Sequence, residues 1–162
     1  ESAKELDGKD IRFVFVGEGT KKSELLELTK GFSHVAVLPY QLQDEFPYVL
    51  KAGDLHIVTV RPGLEGLVVP SKVYPLLVSG RPILAVAPET SDVVGLIKKF
   101  QCGFHADPSD HKSIIKAILF ARDHQQELQV MGQRARKAGL EFSNDKMGMS
   151  MSKVLSSVIG EK

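Results

Sequence analysis

The residues best placed to do chemistry are Glu65-Gly66-Leu67-Val68-Val69-Pro70-Ser71-Lys72, which join an apolar run ending near Val60 to an amphipathic segment beginning near Val73. Parallel α/β folds put their ligands at such joints, after a strand and before a helix. A glycine lets backbone approach a ligand closely, and Pro70-Ser71 sets up a helix start. The free N–H groups of that first turn, together with the Lys72 ammonium, favour an anion and most simply a phosphate. An ordinary capped loop with an exposed lysine has the same residues, so the spacing leaves both readings open.

Other chemistries find less support. Gly17-Glu18-Gly19 after an apolar run resembles a dinucleotide fingerprint, but Lys22 holds the third glycine position. No acid ends the next run to hold a ribose, where Leu38 and Pro39 stand. A phospho-receiver domain needs an acidic pair after its first strand, and only Glu18 is there. There is no Walker A sequence and no Gly-x-Ser-x-Gly elbow. His34, His56, His105, His111 and His124 show no metal-ligand spacing, so no metal is expected. His56 inside a strand reads as a satisfied core or edge histidine, and Cys102 as buried and inert. Arg134, Arg136 and Lys137 read as a solvated helix face. The Met147/Met151 stripe reads as core or as a surface for a partner.

Five apolar runs would carry these residues: Ile11 to Val16, Val35 to Leu38, Leu55 to Val60, Pro82 to Val86 and Cys102 to Ala106. The first suits a strand buried on both faces. Between the runs lie helical patterns with candidate caps at Thr20, Asp44, Ser71, Thr90 or Ser91, and Ser109 or Asp110. Leu25 and Leu28 mark one apolar helix face; Phe46, Val49 and Leu50 another; Ile114, Ile118 and Ala121 a third. Gly31 and Gly80 read as helix stops, and Pro47 falls in a first turn where no N–H bond is lost. After the fifth run only helices follow, with Leu128, Met131 and Ala135, then Met147, Met151, Val154 and Val158. Strands alternating with helices predict an α/β fold with a parallel sheet covered on both faces and right-handed crossovers.

The chain has 162 residues, 43% hydrophobic and 25% charged, which fits one domain able to bury a core without disulfides. A net charge of +1 gives no field to recruit nucleic acid or an anionic membrane. One cysteine excludes an internal disulfide and fits a reducing compartment. No run approaches the length of a membrane helix, and no signal-peptide pattern opens the chain. Glu1 to Gly8 reads like the end of a helix, as if the chain began mid-pattern.

Leu64 through Pro82, with its Pro-Ser-Lys-x-Tyr followed by Ser-Gly-Arg-Pro, resembles the donor-binding segment of bacterial family 4 glycosyltransferases. The resemblance is closest to members acting in capsule, lipopolysaccharide or exopolysaccharide assembly. Phe15-Val16-Gly17-Glu18-Gly19, Val37-Leu38-Pro39-Tyr40, Ala52-Gly53-Asp54-Leu55-His56 and Cys102-Gly103 follow the family's order and approximate spacing. The family has the GT-B fold, two Rossmann-like domains facing across a cleft. The resemblance therefore implies that residues 1–162 are one donor-binding domain, a fragment without the N-terminal acceptor domain and without its own first strand. It implies that the Gly17–Gly19 loop faces the cleft, that backbone near Leu38, Pro39 and Tyr40 contacts the base, that Glu65, Gly66, Leu67 and Val68 lie near the donor sugar and diphosphate, and that Ser71 and Lys72 lie near the phosphates. It further implies retention at the anomeric carbon, a nucleotide-sugar substrate, no metal and no cofactor.

Two departures stand out. Many relatives have a ribose-binding glutamate where this chain has Pro75. Two hydrogen bonds to a charged group, at about 1.5–3 kcal/mol each, correspond to roughly 10²–10⁴ in affinity. The family's first strand, and the basic residues after it, would lie upstream of Glu1. In family order that strand sits between the first and third runs, so either those two pair directly or another chain fills the gap. The expectation is an enzyme as the longer parent, inactive as this chain alone. It would be cytoplasmic, with peripheral attachment to the inner membrane, and would self-associate through its C-terminal helix. The alternatives are a non-catalytic donor-binding subunit docking onto a separate acceptor-domain chain, and a sugar-nucleotide epimerase-like domain with Glu65 or Glu18 as acid/base.

Overall fold

A computed structural model describes residues 2–64, 66 and 71–142. In chain order these form helix α1 (Ser2–Glu5), strand β1 (Phe13–Val16), α2 (Lys22–Leu28), β2 (Val35–Leu38), α3 (Phe46–Ala52), β3 (His56–Thr59), α4 (Val73–Ser79), β4 (Ile83–Val86), α5 (Asp92–Phe100), β5 (Gly103–Ala106), α6 (His111–Asp123) and α7 (Gln125–Glu141). All five expected strands are present, shortened by at most two residues at an end, and every pairing is parallel. The fold is thus the expected Rossmann-like α/β arrangement.

The strands form two sheets rather than one. β1 pairs with β2, and β3-β4-β5 form a second sheet with β4 in the middle. Of the two outcomes foreseen for the first and third strands, direct pairing does not occur among the described residues.

The core is built around β4. Its successive side chains point to opposite faces, and Ile83, Leu84 and Ala85 are all fully buried. Ile83 and Ala85 join one cluster with Val58, Leu77, Val94, Ile97 and Ala135, beneath α4, α5 and α7. Leu84 joins a second with Leu6, Ala106 and Ile118, beneath α1 and α6. Each buried valine, leucine or isoleucine among them contributes about 1.5–3 kcal/mol relative to exposure. Helix α7 lies directly on α4 because glycines remove the intervening side chains. A Cβ on Gly132 would sit 2.2 Å from the Gly80 carbonyl oxygen, and one on Gly139 would sit 2.8 Å from the Val78 nitrogen. Gly80 ends α4 at φ 76°, the left-handed conformation foreseen for a stop.

The first third of the chain departs from the expectation. β1 is not buried on both faces: Val14 is 53% exposed, Phe15 41% and Val16 39%. Between Leu6 and Val58 no residue is buried, and α2 and α3 bury nothing. Leu28 and Phe46, taken as core-facing, are exposed. Among the described residues β1 has one strand neighbour where β4 has two, so fewer groups cover its apolar side chains.

The caps also differ. α2, α3 and α4 begin after Lys21, Glu45 and Lys72, with no side-chain cap from Thr20, Asp44 or Ser71. A preceding tight turn already takes N–H groups that a cap would serve: Lys22 N–H donates to the Gly19 carbonyl at 3.0 Å, and Phe46 N–H to that of Leu42 at 3.1 Å. Asp110 does cap α6, accepting from Ser113 N–H at 3.1 Å. Ser91 holds the cap position of α5 without a side-chain bond. Met147, Met151, Val154 and Val158 lie outside the described residues.

Candidate functional site

A cavity of about 410 Å³ opens at the carboxyl ends of the strands. Gly17 and Gly19 reach it from the turn after β1, Tyr40 from the segment after β2, and Lys72 from the loop after β3. Three consecutive strand-to-helix connections thus converge, the geometry by which open parallel sheets hold ligands. Gly17 continues the ladder by donating to the Leu38 carbonyl at 3.0 Å. Its φ of 133° suits glycine alone, and the Tyr40 ring lies 3.5 Å from where a Cβ would be. The Tyr40 ring therefore packs against the bare backbone of Gly17.

The charges at this cavity are not equivalent. Lys22 pairs with Glu18 at 2.5 Å and Lys21 with Glu24 at 3.5 Å, both on the surface. Exposed pairs of this kind are worth about 0.2–1 kcal/mol. Lys72 has no carboxylate partner among the described residues. Among the described residues, the carboxylates that line the cavity, Glu18 and Glu24, are paired with Lys22 and Lys21 and not with Lys72.

Of the sequence-predicted residues, the structure brings Gly17, Gly19, Tyr40 and Lys72 into one cavity. Leu38 and Pro39 lie next to it without lining it; the Pro39 carbonyl accepts from the Gln41 amide at 3.0 Å. Gly66 is exposed with φ 72°, and nothing lies within 4 Å of its Cβ direction. Ser71 is exposed, and its carbonyl accepts from Tyr74 N–H at 3.4 Å. Glu65, Leu67 and Val68 lie outside the described residues. Pro75 is the third residue of α4, where a helix has no intrahelical use for an N–H, so proline fits there. Sequence reasoning missed the wall that α2 supplies through Lys21, Lys22 and Leu25. The available signal was two lysines directly after the glycine turn.

His34, His56 and His105 make contacts within the fold. His34 Nε2 meets the Ala3 carbonyl at 2.8 Å, and its Nδ1 lies 2.9 Å from Asp7. His105 bridges the Ala87 carbonyl and Glu89 at 2.8 and 3.1 Å. His56 Nε2 donates to the Leu50 carbonyl at 2.8 Å, the satisfied histidine foreseen. Burial holds the His56 imidazole below its ordinary pKa, outweighing that hydrogen bond. Because the folded value lies below the unfolded one, the unfolded chain binds the extra proton. Stability should be complete above about pH 6.5, the unfolded value, and fall as pH drops through the folded pKa. Urea titrations across this range should show a shallower acid loss for His56→Gln than for the wild type. Cys102 is fully buried, and burial pushes its thiol up to about 11, so it is no nucleophile at neutral pH. Among the described residues no group of three or more His, Cys, Asp or Glu is placed to hold a metal ion, and no helix is long and apolar enough to cross a membrane.

The profile of the family described as "Glycosyl transferases group 1" matches residues 1–124. The chain is 30% identical over 111 residues to "Probable glycosyltransferase WbjE" of Pseudomonas aeruginosa, covering 65% of this chain and 27% of that protein. It is 29% identical over 102 residues to WcaI of Escherichia coli (strain K12), named for colanic acid biosynthesis, covering 62% of this chain and 25% of that protein. Among solved structures, Anabaena Alr3699/HepE in complex with UDP superposes with a TM-score of 0.77 at 18% identity, over 96% of this chain and 43% of that one. The chain thus spans about a quarter of these two relatives and under half of that structure.

Proposed function

Because the chain belongs to the group 1 glycosyl transferases, we propose that it binds the nucleotide-sugar donor for a transferase that passes the sugar to an acceptor in polysaccharide or glycolipid assembly. One observation carries this reading: the glycine turn, Tyr40 and Lys72 share a cavity at the carboxyl ends of the strands. Tyr40 offers a ring for stacking a base, Gly17 and Gly19 bare backbone for close approach, and Lys72 a positive charge for the diphosphate. A solved relative described with UDP, and another named for colanic acid biosynthesis, support the donor class and the setting.

The chemistry follows from charge. Breaking the bond between sugar and diphosphate leaves negative charge on the phosphate oxygens, and a fixed cation there lowers the barrier without a metal. α4 has only seven residues, so its terminus contributes at most about 0.3–1 kcal/mol to an exposed anion, and Lys72 supplies the rest. Glu65, Leu67, Val68 and Ser71 remain candidates for the sugar and phosphate contacts, with Leu38 and Pro39 lending backbone to the base. We assign the reaction as retaining, with no metal or cofactor, and the acceptor pocket to a second domain.

Titrating the chain with UDP and UDP-glucose while following backbone amides by NMR tests the donor site. Shifts centred on Gly17, Gly19, Tyr40 and Lys72 are expected. Saturable binding with shifts confined to other faces, or no binding by a protein that includes the acceptor domain, would refute it.

A further inference from the structure

Glu18 stands between Gly17 and Gly19 in the turn after β1, and all three line the cavity. A carboxylate is at odds with an anion site. Among the described residues the cavity carries Lys21, Lys22 and Lys72 against Glu18 and Glu24, which leaves one net positive charge. The two glutamates are not equally placed. Lys21 and Glu24 meet at 3.5 Å with side chains 71% and 59% exposed, so solvent screens that pair. Lys22 Nζ and Glu18 Oε1 meet at 2.5 Å with side chains only 28% and 47% exposed. Glu18 is the more enclosed carboxylate, and its charge is the less screened.

How much that charge matters depends on the charge of the ligand. A cavity of about 410 Å³ is on the order of one Debye length across, about 10 Å. A phosphate anywhere inside it feels Glu18. Two nucleotides would visit a donor site. In the intact nucleotide-sugar both phosphates are esterified, and each carries one negative charge. In the diphosphate left after transfer, the terminal phosphate loses a second proton at about pH 6. Above that pH the spent nucleotide carries the extra charge, and repulsion grows in proportion to charge.

We propose that Glu18 sets the preference between these two ligands, disfavouring the spent nucleoside diphosphate relative to the intact nucleotide-sugar and so easing product release. Lys22 is the positioning partner: it holds the carboxylate at the turn and offsets enough of its charge for an anion to enter. The inference rests on the donor-site reading above.

Calorimetric titration with UDP and UDP-glucose, at about pH 8 where the terminal phosphate is ionised, measures the preference directly. Glu18→Gln should tighten UDP about threefold or more beyond any gain for UDP-glucose. Lys22→Gln leaves Glu18 without its partner and should shift the ratio the opposite way. Glu127→Gln removes the same charge from the exposed first turn of α7, away from the cavity, and should leave the ratio unchanged. A variant that is partly unfolded loses both ligands alike, so the ratio reports on charge and not on stability. The proposal is overturned if Glu18→Gln changes both affinities by the same factor or neither, or if Glu127→Gln moves the ratio as far. Either result leaves the donor site standing, provided that Lys72→Ala still weakens both ligands. If the wild type binds neither ligand even when the acceptor domain is included, the donor-site reading fails and this inference fails with it.

Discussion

Gly103→Ala should destabilise the domain by about 3 kcal/mol or more, at the upper end of what overpacking costs, and urea denaturation of the purified variant should show it. A Cβ at this position would lie 1.8 Å from the Ile83 carbonyl oxygen and 2.8 Å from the Ile83 nitrogen. Neither partner can yield. Ile83 is completely buried, its N–H donates to the Cys102 carbonyl at 3.2 Å, and the carbonyl of the preceding Pro82 accepts from His56 on the other side. The methyl must therefore part β5 from β4, and with it the helices that cover both. Gly95→Ala is the internal control. It sits exposed in α5 with nothing within 4 Å of its Cβ direction, so it should stabilise by about 0.5–1 kcal/mol through helix propensity. A Gly103→Ala variant within about 1 kcal/mol of wild type would show that β5 does not approach β4 as described.

Lys72→Ala should weaken binding of a nucleoside diphosphate by about 10- to 10²-fold, the equivalent of one charge-assisted hydrogen bond of about 1.5–3 kcal/mol. Binding of the free nucleoside should be unchanged, because the proposed site assigns that end of the ligand to Tyr40 and the glycine turn. In a transferase that contains this domain, the proposed role predicts that the rate of sugar transfer falls further than affinity does, since phosphate charge grows toward the transition state. Calorimetric comparison of diphosphate, monophosphate and nucleoside on wild type and variant provides the check. If the variant keeps the full preference for diphosphate, the phosphates are held elsewhere and Lys72 is a surface lysine. The paired Lys21 and Lys22 make useful comparators. Each already has a carboxylate, so replacing one also releases a glutamate and mixes two effects.

The family was legible because its motifs are local. The segment Leu64 through Pro82 and the glycine turn after the first strand are short strings whose chemistry does not depend on distant residues. Strand positions were legible for the same reason: Phe13–Val16, Val35–Leu38 and Ile83–Val86 are continuous apolar runs closed by glycine, proline or a polar turn. The Gly80 stop and the Asp110 cap likewise need only their neighbours.

What required the tertiary structure is anything set by a neighbour across the fold. The apolar run Phe13–Val16 has the composition of a doubly buried strand, yet it is exposed because burial depends on adjacent strands and not on its own residues. Thr20, Asp44 and Ser71 have capping chemistry, but the turns before their helices determine which N–H groups remain to be capped. Nothing in the sequence pairs Gly132 with Gly80, or Gly103 with Ile83, because those contacts join residues far apart in the chain. The cavity is of the same kind. Gly17, Tyr40 and Lys72 are separated by dozens of residues and meet only because parallel strands deliver successive loops to one end of the sheet.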